Sequence, residues 1–425
     1  MVGLTAGGPQ AAETAEAGPA DALRAAYRRP EAVPFPTDNP YDRVKAELGR
    51  DLFFDPRLSG NNGLSCASCH VPELGFEDGQ PIGFGASGQP VGRHVPTLWN
   101  LAWGKRFFWD GRAASLEEQA LGPIQNPIEM DQDLDALVRE LMADPGYRAR
   151  FAQAFPESPA IAPDTIAAAL ATYERTLVSP PAPFDRWIAG EEDAIDDAAK
   201  RGFALFNGKA NCAACHSGWA FTDHAFHDIG LPDEDRGRGA ILGLALLDHA
   251  FKTPTLREIG RRAPYMHDGS LPDLAAVIEH YETGIVERPS LSPDLKPIDL
   301  TPSERADLLA FLATLDSPDP TPPTIAPAVA AAPPDAPGAP KDLAEVTQRD
   351  KSFDRDSVAL TEGGLLVVHN DDVRRHNLRI FHPKLDFNSG IQRPGESVAI
   401  RFPDAGTYRV FCGIHPTMEL AVTVE

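Results

Sequence analysis

The chain has 425 residues, with 39 Lys+Arg against 62 Asp+Glu and a formal net charge of -23. That balance argues against nucleic acid or an anionic membrane surface as a partner. No apolar run reaches the ~18 residues of a membrane span, and the length calls for two to four domains rather than one core.

Met1–Ala20 is small, acidic and Gly/Pro-rich, without the basic and apolar regions of a secretory signal, so no signal peptide is visible. Residues 1–38 are expected to be an N-terminal extension. Next come Cys66-Ala-Ser-Cys-His70 and Cys212-Ala-Ala-Cys-His216. C-x-x-C-H is the signal for covalently attached haem c. Its cysteines form thioethers and the following His supplies an axial imidazole. A lone motif of this kind also fits a zinc half-site or a redox dithiol. Zinc would need two more ligands near each motif, and only Cys412 remains of the five cysteines. A disulfide framework would leave one thiol unpaired. Two haem c groups are therefore expected, and with them electron transfer, redox catalysis or both. Haem is attached outside the bacterial cytoplasm, so a periplasmic location is expected.

Apolar residues at three- and four-residue steps predict helices over Leu134–Met142, Pro163–Leu177 and Asp193–Phe206. Ser179-Pro-Pro-Ala-Pro183 marks a boundary between two helical haem domains, 39–183 and 184–316. Thr301-Pro-Ser-Glu304 is a capping box with Pro at the first helical position, opening a closing helix that runs to Leu315. Ser317–Pro340 is dominated by Pro and Ala, and residues 317–341 are expected to be a linker. Extended at ~3.1 Å per residue, it could span roughly 70 Å.

Beyond it, Leu365–Val368, Asn377–Phe381, Ser397–Phe402, Gly406–Phe411 and Leu420–Val424 are short, β-rich runs. Turn signals at Asn388-Ser-Gly390 and Pro394-Gly395 separate some of them, which predicts a β-sandwich over 342–425. This segment carries a net charge of -3, leaving -20 on the remainder. Cys412, His415 and Met418 follow a strand at C-x-x-H-x-x-M spacing, and His376 opens another. A His₂Cys set with a weak axial Met is the type 1 copper arrangement. Asn377 would brace the cysteine loop. The plain alternative is a buried Cys beside a turn His. Arg374, Arg375 and Arg379 flank His376 and would steer docking to an acidic surface, or simply solvate a sheet edge.

The final Gly406–Met418 run resembles amicyanin and the cupredoxins, a likeness covering about the last 80 residues. Residues from about Asn39 to Leu315 resemble the bacterial di-haem cytochrome c peroxidase and MauG-type family. The motifs are Leu58-Ser-Gly-Asn-Asn-Gly-Leu-Ser-Cys-Ala-Ser-Cys-His70, Pro96-Thr-Leu-Trp-Asn100, Phe108-Trp-Asp-Gly-Arg-Ala113, Glu118-Gln-Ala-Leu-Gly-Pro123, Asn126-Pro-Ile-Glu-Met130, Thr253-Pro-Thr-Leu-Arg257 and Ala263-Pro-Tyr-Met-His-Asp-Gly-Ser270. The resemblance implies two cytochrome c domains face to face, with the peroxidatic haem in the first. It implies Glu129 as the acid–base for peroxide, Gln119 as its polar companion, Pro123 over the distal face and Trp109 between the haems. Outside the motif, Glu129 would be an ordinary helix-terminus glutamate and Trp109 a core aromatic.

Peroxidase members of this family carry a displaceable His ligand ten residues before Pro96. Here that position is Ala86, so the His70 haem is expected to be open without reductive activation. His94 stands where the family has an Asn, and Arg262 where it has a Thr, at an inter-haem calcium site. Both replacements speak against calcium. The second haem's other ligand is expected seventeen residues after Pro264, at Tyr281, as in MauG-type members; Met266, His280 and a plain core tyrosine are the rivals. Tyrosinate favours ferric or higher-valent iron.

The expected architecture is two all-α cytochrome c-like domains, a tether and an all-β cupredoxin. The favoured function is reduction of hydrogen peroxide to water, with electrons relayed through copper from an external one-electron donor protein. The rivals are a MauG-type oxidase acting on a protein side chain, and a pure multi-centre electron-transfer protein.

Overall fold

The computed structural model describes residues 19–319, 342–349, 352–372, 374, 376, 378–382, 384–389, 392, 394–412 and 418–425. These fall into two compact units, one on each side of the Pro/Ala stretch. That stretch lies, from residue 320 to 341, outside the described residues.

The first unit holds two helical halves built alike. In each, an early helix packs against a late one, and a glycine in the early helix allows the backbones to touch. Arg43–Phe53 meets Pro163–Thr176 at Gly49, where a Cβ would lie 1.9 Å from the Ala169 carbonyl oxygen. Asp197–Asn207 meets Pro302–Ala313 at Gly202, where a Cβ would lie 2.0 Å from the Asp307 carbonyl oxygen. Only glycine permits that approach. The first core gathers Leu52, Phe53, Phe76, Trp99, Leu170 and Tyr173. The second is an aromatic cluster of Phe184, Trp187, Phe203, Phe206, Phe221 and Phe311.

The capping box forms as its sequence dictates. Thr301 Oγ1 accepts from the Glu304 N–H at 3.3 Å, and Glu304 Oε2 accepts from the Thr301 N–H at 2.8 Å. The expected Asp193–Phe206 helix is two pieces, a 3₁₀ turn over Glu192–Ala194 and a helix from Asp197. Asp196 separates them, because its carboxylate caps the Ala199 N–H at 2.8 Å. The extension is not merely loose chain. Pro19–Ala26 is helical, and Tyr27 is buried in the second core, donating from its hydroxyl to Asn207 Oδ1 at 2.7 Å. The halves join through backbone and charge: Lys252 N–H donates to Trp109 O at 2.8 Å, and Arg93 bridges Asp110 at 2.6 Å and Asp235 at 2.7 Å. At this seam a Cβ on Gly111 would sit 2.1 Å from the Phe226 ring.

The second unit is a β-sandwich of the cupredoxin kind. One sheet orders Ser357–Leu360, Glu419–Val424, Gly406–Cys412, Leu378–His382 and Leu385–Asn388. The other orders Ser352–Phe353, Leu343–Arg349, Leu365–Asn370 and Ser397–Arg401. Leu366, Val368, Val410, Leu420 and Val422 alternate inward to one core. The predicted strands are all present. Leu343–Arg349 and Ser357–Leu360 were not expected, and Asn388, read as a turn residue, ends a strand paired with Leu378–His382.

Candidate functional site

Cys66–Cys69 forms one helical turn, and His70 follows it. His70 Nδ1 lies 2.9 Å from the Phe76 carbonyl oxygen. A carbonyl only accepts, so Nδ1 carries the proton and Nε2 keeps its lone pair for a metal. Burial pushes the imidazole's pKa down, which keeps the ring neutral. The second motif repeats the device: His216 Nδ1 lies 2.9 Å from the Phe221 carbonyl oxygen, and burial again pushes the ring's pKa down. Both phenylalanines sit in the left-handed region, at φ 61° and 53°, where a side chain is strained.

A cavity of about 670 Å³ is lined by Cys66, Cys69 and His70 together with Gln119, Pro123, Glu129 and Trp109. Thioether-forming cysteines, a tautomer-fixed imidazole and apolar walls fit a haem c. Glu129 is oriented by Asn126, whose Nδ2 donates to Oε1 at 2.7 Å. Burial pushes the Glu129 pKa up, against the Asn126 hydrogen bond and the Arg112 cation. Gln119 Oε1 is buried and has no hydrogen-bond partner among the described residues. Pro123 lies inside the Leu116–Gln125 helix, and its carbonyl accepts from the Met130 N–H at 3.1 Å. The loop bearing Ala86 is pressed on the Glu129 turn: Ala86 N–H donates to Glu129 O at 2.6 Å, and a Cβ on Gly85 would be 2.0 Å from Ile128 O. The methyl group of Ala86 offers no ligand.

Trp109 Nε1 donates to the His94 carbonyl oxygen at 2.8 Å, and its ring centre is 6.4 Å from that of His267. In the second half Tyr281 lies on a π-helical turn, His280–Gly284, within electrostatic reach of Cys212 and Cys215. Such turns mark functional sites often. Burial pushes its phenol pKa up, so deprotonation there needs a cation. His280 Nε2 lies 2.9 Å from the Ile229 carbonyl oxygen. Met266 lines the large cavity. Asp223 and His227, 2.8 Å apart, cluster with Cys215. A cysteine held as a thioether is no thiolate, so this trio makes a hydrogen-bonded pair beside the attachment site.

In the β unit, His376 and Cys412 are fully buried and Met418 nearly so. Cys412 Sγ faces His376 Nδ1 at 3.5 Å, and His376 Nε2 is 3.2 Å from Asp372 Oδ2. Cys412 N–H donates to Met418 O at 3.1 Å, closing the ligand loop. A cysteine sulfur and an imidazole 3.5 Å apart, with a buried thioether in the same core, fit copper. His415, Asn377 and Arg375 lie outside the described residues. Arg374 pairs with Asp372 at 3.1 Å, which offsets its charge.

Sequence reasoning passed over Glu174, Glu77 and Asp372. Glu174 is 5% exposed, lines the large cavity, and burial raises its pKa to about 8. Its signal was an acid in the apolar stripe of Ile166, Leu170 and Tyr173.

Residues 43–193 match the family model for di-haem cytochrome c peroxidase, and residues 199–316 match that for cytochrome c. The chain is 52% identical over 312 residues to the methylamine utilization protein MauG of Methylorubrum extorquens, covering 72% of this chain and 88% of that protein. It is 34% identical over 301 residues to the cytochrome c551 peroxidase of Pseudomonas aeruginosa, covering 68% and 84%. Among solved structures it is similar to a MauG-like protein associated with microbial copper homeostasis, at 36% identity and TM-score 0.63, covering 69% of this chain and 95% of that one. Both relatives are more than 30% identical over more than two thirds of this chain. The chain therefore belongs to the di-haem cytochrome c peroxidase and MauG family of oxidoreductases.

Proposed function

We propose that the chain reduces hydrogen peroxide to two waters at the His70 site, consuming two electrons and two protons. The observation that carries this reading is the Glu129 carboxylate on the cavity shared with His70, with Ala86 where a ligand would block access. Haem c held by Cys66, Cys69 and His70 supplies the redox centre at which the O–O bond breaks. Glu129 takes the proton from the inner peroxide oxygen and delivers it to the outer one, which leaves as water; solvent supplies the two further protons. A carboxyl whose pKa is raised by burial is suited to both halves of that transfer. Gln119 Oε1 accepts a hydrogen bond from peroxide, and Pro123 shields the distal face. Trp109 carries oxidising equivalents between the halves, and Tyr281 and His216 would hold the second haem. His376, Cys412, His415 and Met418 would hold type 1 copper, which would supply one-electron chemistry between an external donor protein and the haem halves. Covalent haem attachment supports a periplasmic location, and no helix among the described residues is long and apolar enough to cross a membrane.

Steady-state peroxide consumption with the copper unit reduced beforehand tests this reading. Two copper oxidations per peroxide support it, and an absence of copper oxidation removes the relay. Loading with Cu(II) should give an intense thiolate-to-copper absorption, lost in Cys412→Ser. A second reading, MauG-type oxidation of a partner protein's side chain, is favoured by Tyr281 and by the 52% identical MauG relative. Peroxide consumed with copper remaining reduced and a partner protein covalently altered would select it.

A further inference from the structure

Glu77, His94 and Arg262 form a buried cluster at the seam of the haem halves, with 5%, 2% and 3% of their surfaces exposed. Glu77 Oε1 accepts from Arg262 Nη1 at 3.1 Å, and Glu77 Oε2 lies 3.1 Å from His94 Nε2. His94 Nδ1 lies 2.8 Å from the Gln80 carbonyl oxygen. Both ring nitrogens thus face acceptors, so both are donors and the ring is an imidazolium. Burial opposes that charge, but the Glu77 carboxylate, with the Gln80 carbonyl and Asp78, holds the His94 pKa above its usual value. The cluster therefore brings two positive charges to one carboxylate.

Calcium, which the family resemblance associates with these positions and which the two replacements put in doubt, takes six to eight oxygen ligands. The donors here do not fit it. Both Glu77 oxygens are already bound, a guanidinium accepts nothing, and two cations would repel a third. We propose that Arg262 and His94 are a built-in replacement for a divalent cation, and that they position Trp109. The link to Trp109 is short. His94 N–H donates to His267 O at 2.8 Å in the second half, and His94 O accepts from Trp109 Nε1 at 2.8 Å in the first. Arg262 also reaches back to the Thr255 carbonyl oxygen, and its side chain crosses Gly75, where a Cβ would lie 2.8 Å from Arg262 Cγ. Gly75 precedes the Phe76 whose carbonyl holds His70. Arg262 and His94 are positioning residues, acting through backbone groups on both haem environments.

The inference rests on the di-haem reading but is tested without peroxide. The holoprotein with both haems is dialysed against EGTA, and its thermal midpoint and haem EPR spectrum are recorded before and after adding calcium. Neither should change. A loss on chelation that calcium reverses would overturn the proposal. Arg262→Gln should alter the EPR signature of the second haem and lower the midpoint by several degrees, whereas Arg262→Lys should keep the native spectrum. A Gln variant with the native spectrum would overturn the positioning role. His94→Asn with Arg262→Thr should make midpoint and spectrum respond to calcium and not to magnesium; indifference to both ions would overturn the equivalence. If the variants fail to fold, the chelation result on the native chain still decides.

Discussion

In the first haem half Thr97 Oγ1 donates to Gly75 O at 2.6 Å, and in the second Thr255 Oγ1 donates to Ala220 O at 2.6 Å. Each threonine then accepts from the backbone N–H two residues on, Trp99 and Arg257, at 3.2 Å in both. Ten residues beyond each threonine come Phe107-Phe108-Trp109-Asp110-Gly111 and Tyr265-Met266-His267-Asp268-Gly269, so Trp109 and His267 are counterparts. The frame that holds the axial imidazole is thus the same twice. What differs is what the frame faces. The first half meets a carboxylate and a buried, unpartnered amide oxygen; the second meets a phenol on a π turn. One scaffold could serve two chemistries, because the distal residues come from separate segments that can vary without disturbing it.

The largest test of that asymmetry is Glu129→Gln. It should slow peroxide cleavage by ~10²- to 10⁴-fold, the usual loss when a positioned acid–base is removed. Stopped-flow absorption reads the rate, and static spectra should show both haems still attached. Equal kinetics would erase the distinction between the halves. Next comes Tyr281→Phe, which should change the second haem's ligation and potential, read by EPR and redox titration, while Cys212 and Cys215 keep their covalent links by mass spectrometry. If His280→Ala or Met266→Leu produced that change instead, the phenol would not be the ligand. The smallest effect concerns Glu174, whose counterpart in the second half, by the matching contacts of Gly49 and Gly202, is Leu312. Its carboxyl pKa is raised by burial to about 8, so its proton is bound more tightly when folded. The stability this contributes is complete below the ordinary glutamate value and is lost as pH rises through about 8. The thermal midpoint should fall over that window, and Glu174→Gln should flatten the fall by a few degrees. A midpoint with the same pH dependence in both proteins would assign the loss to other groups.

The attachment sites and a few of the helices were legible because they are local: C-x-x-C-H, a capping box and a 3.6-residue period need no tertiary context. The distal residues were legible only through resemblance, since nothing near Glu129 in sequence says that it faces His70. Glu77 was invisible for the same reason. Its partners Arg262 and His94 are distant in the chain, and an acid between Gly75 and Gly79 reads as solvated surface. The strand at Leu343–Arg349 was missed because Leu343 faces out and Gln348 faces in, which breaks the alternation, and Ser357–Leu360 because a four-residue run with Ala359 outward gives little contrast. Asp372 escaped notice because it braces His376 from a loop, by contact rather than by motif.

Gly111 has a consequence for speed. It is the residue after Trp109-Asp110, it holds φ 66°, and the Phe226 ring of the other half fills the place of a side chain. Tunnelling between redox centres decays exponentially with the gap between them. A methyl group at 111 would act as a shim, prising the tryptophan-bearing turn off its neighbour with no ligand altered. The position is a spacer of zero thickness, and the inter-haem transfer rate in Gly111→Ala would gauge how much of the circuit's conductance depends on that closeness.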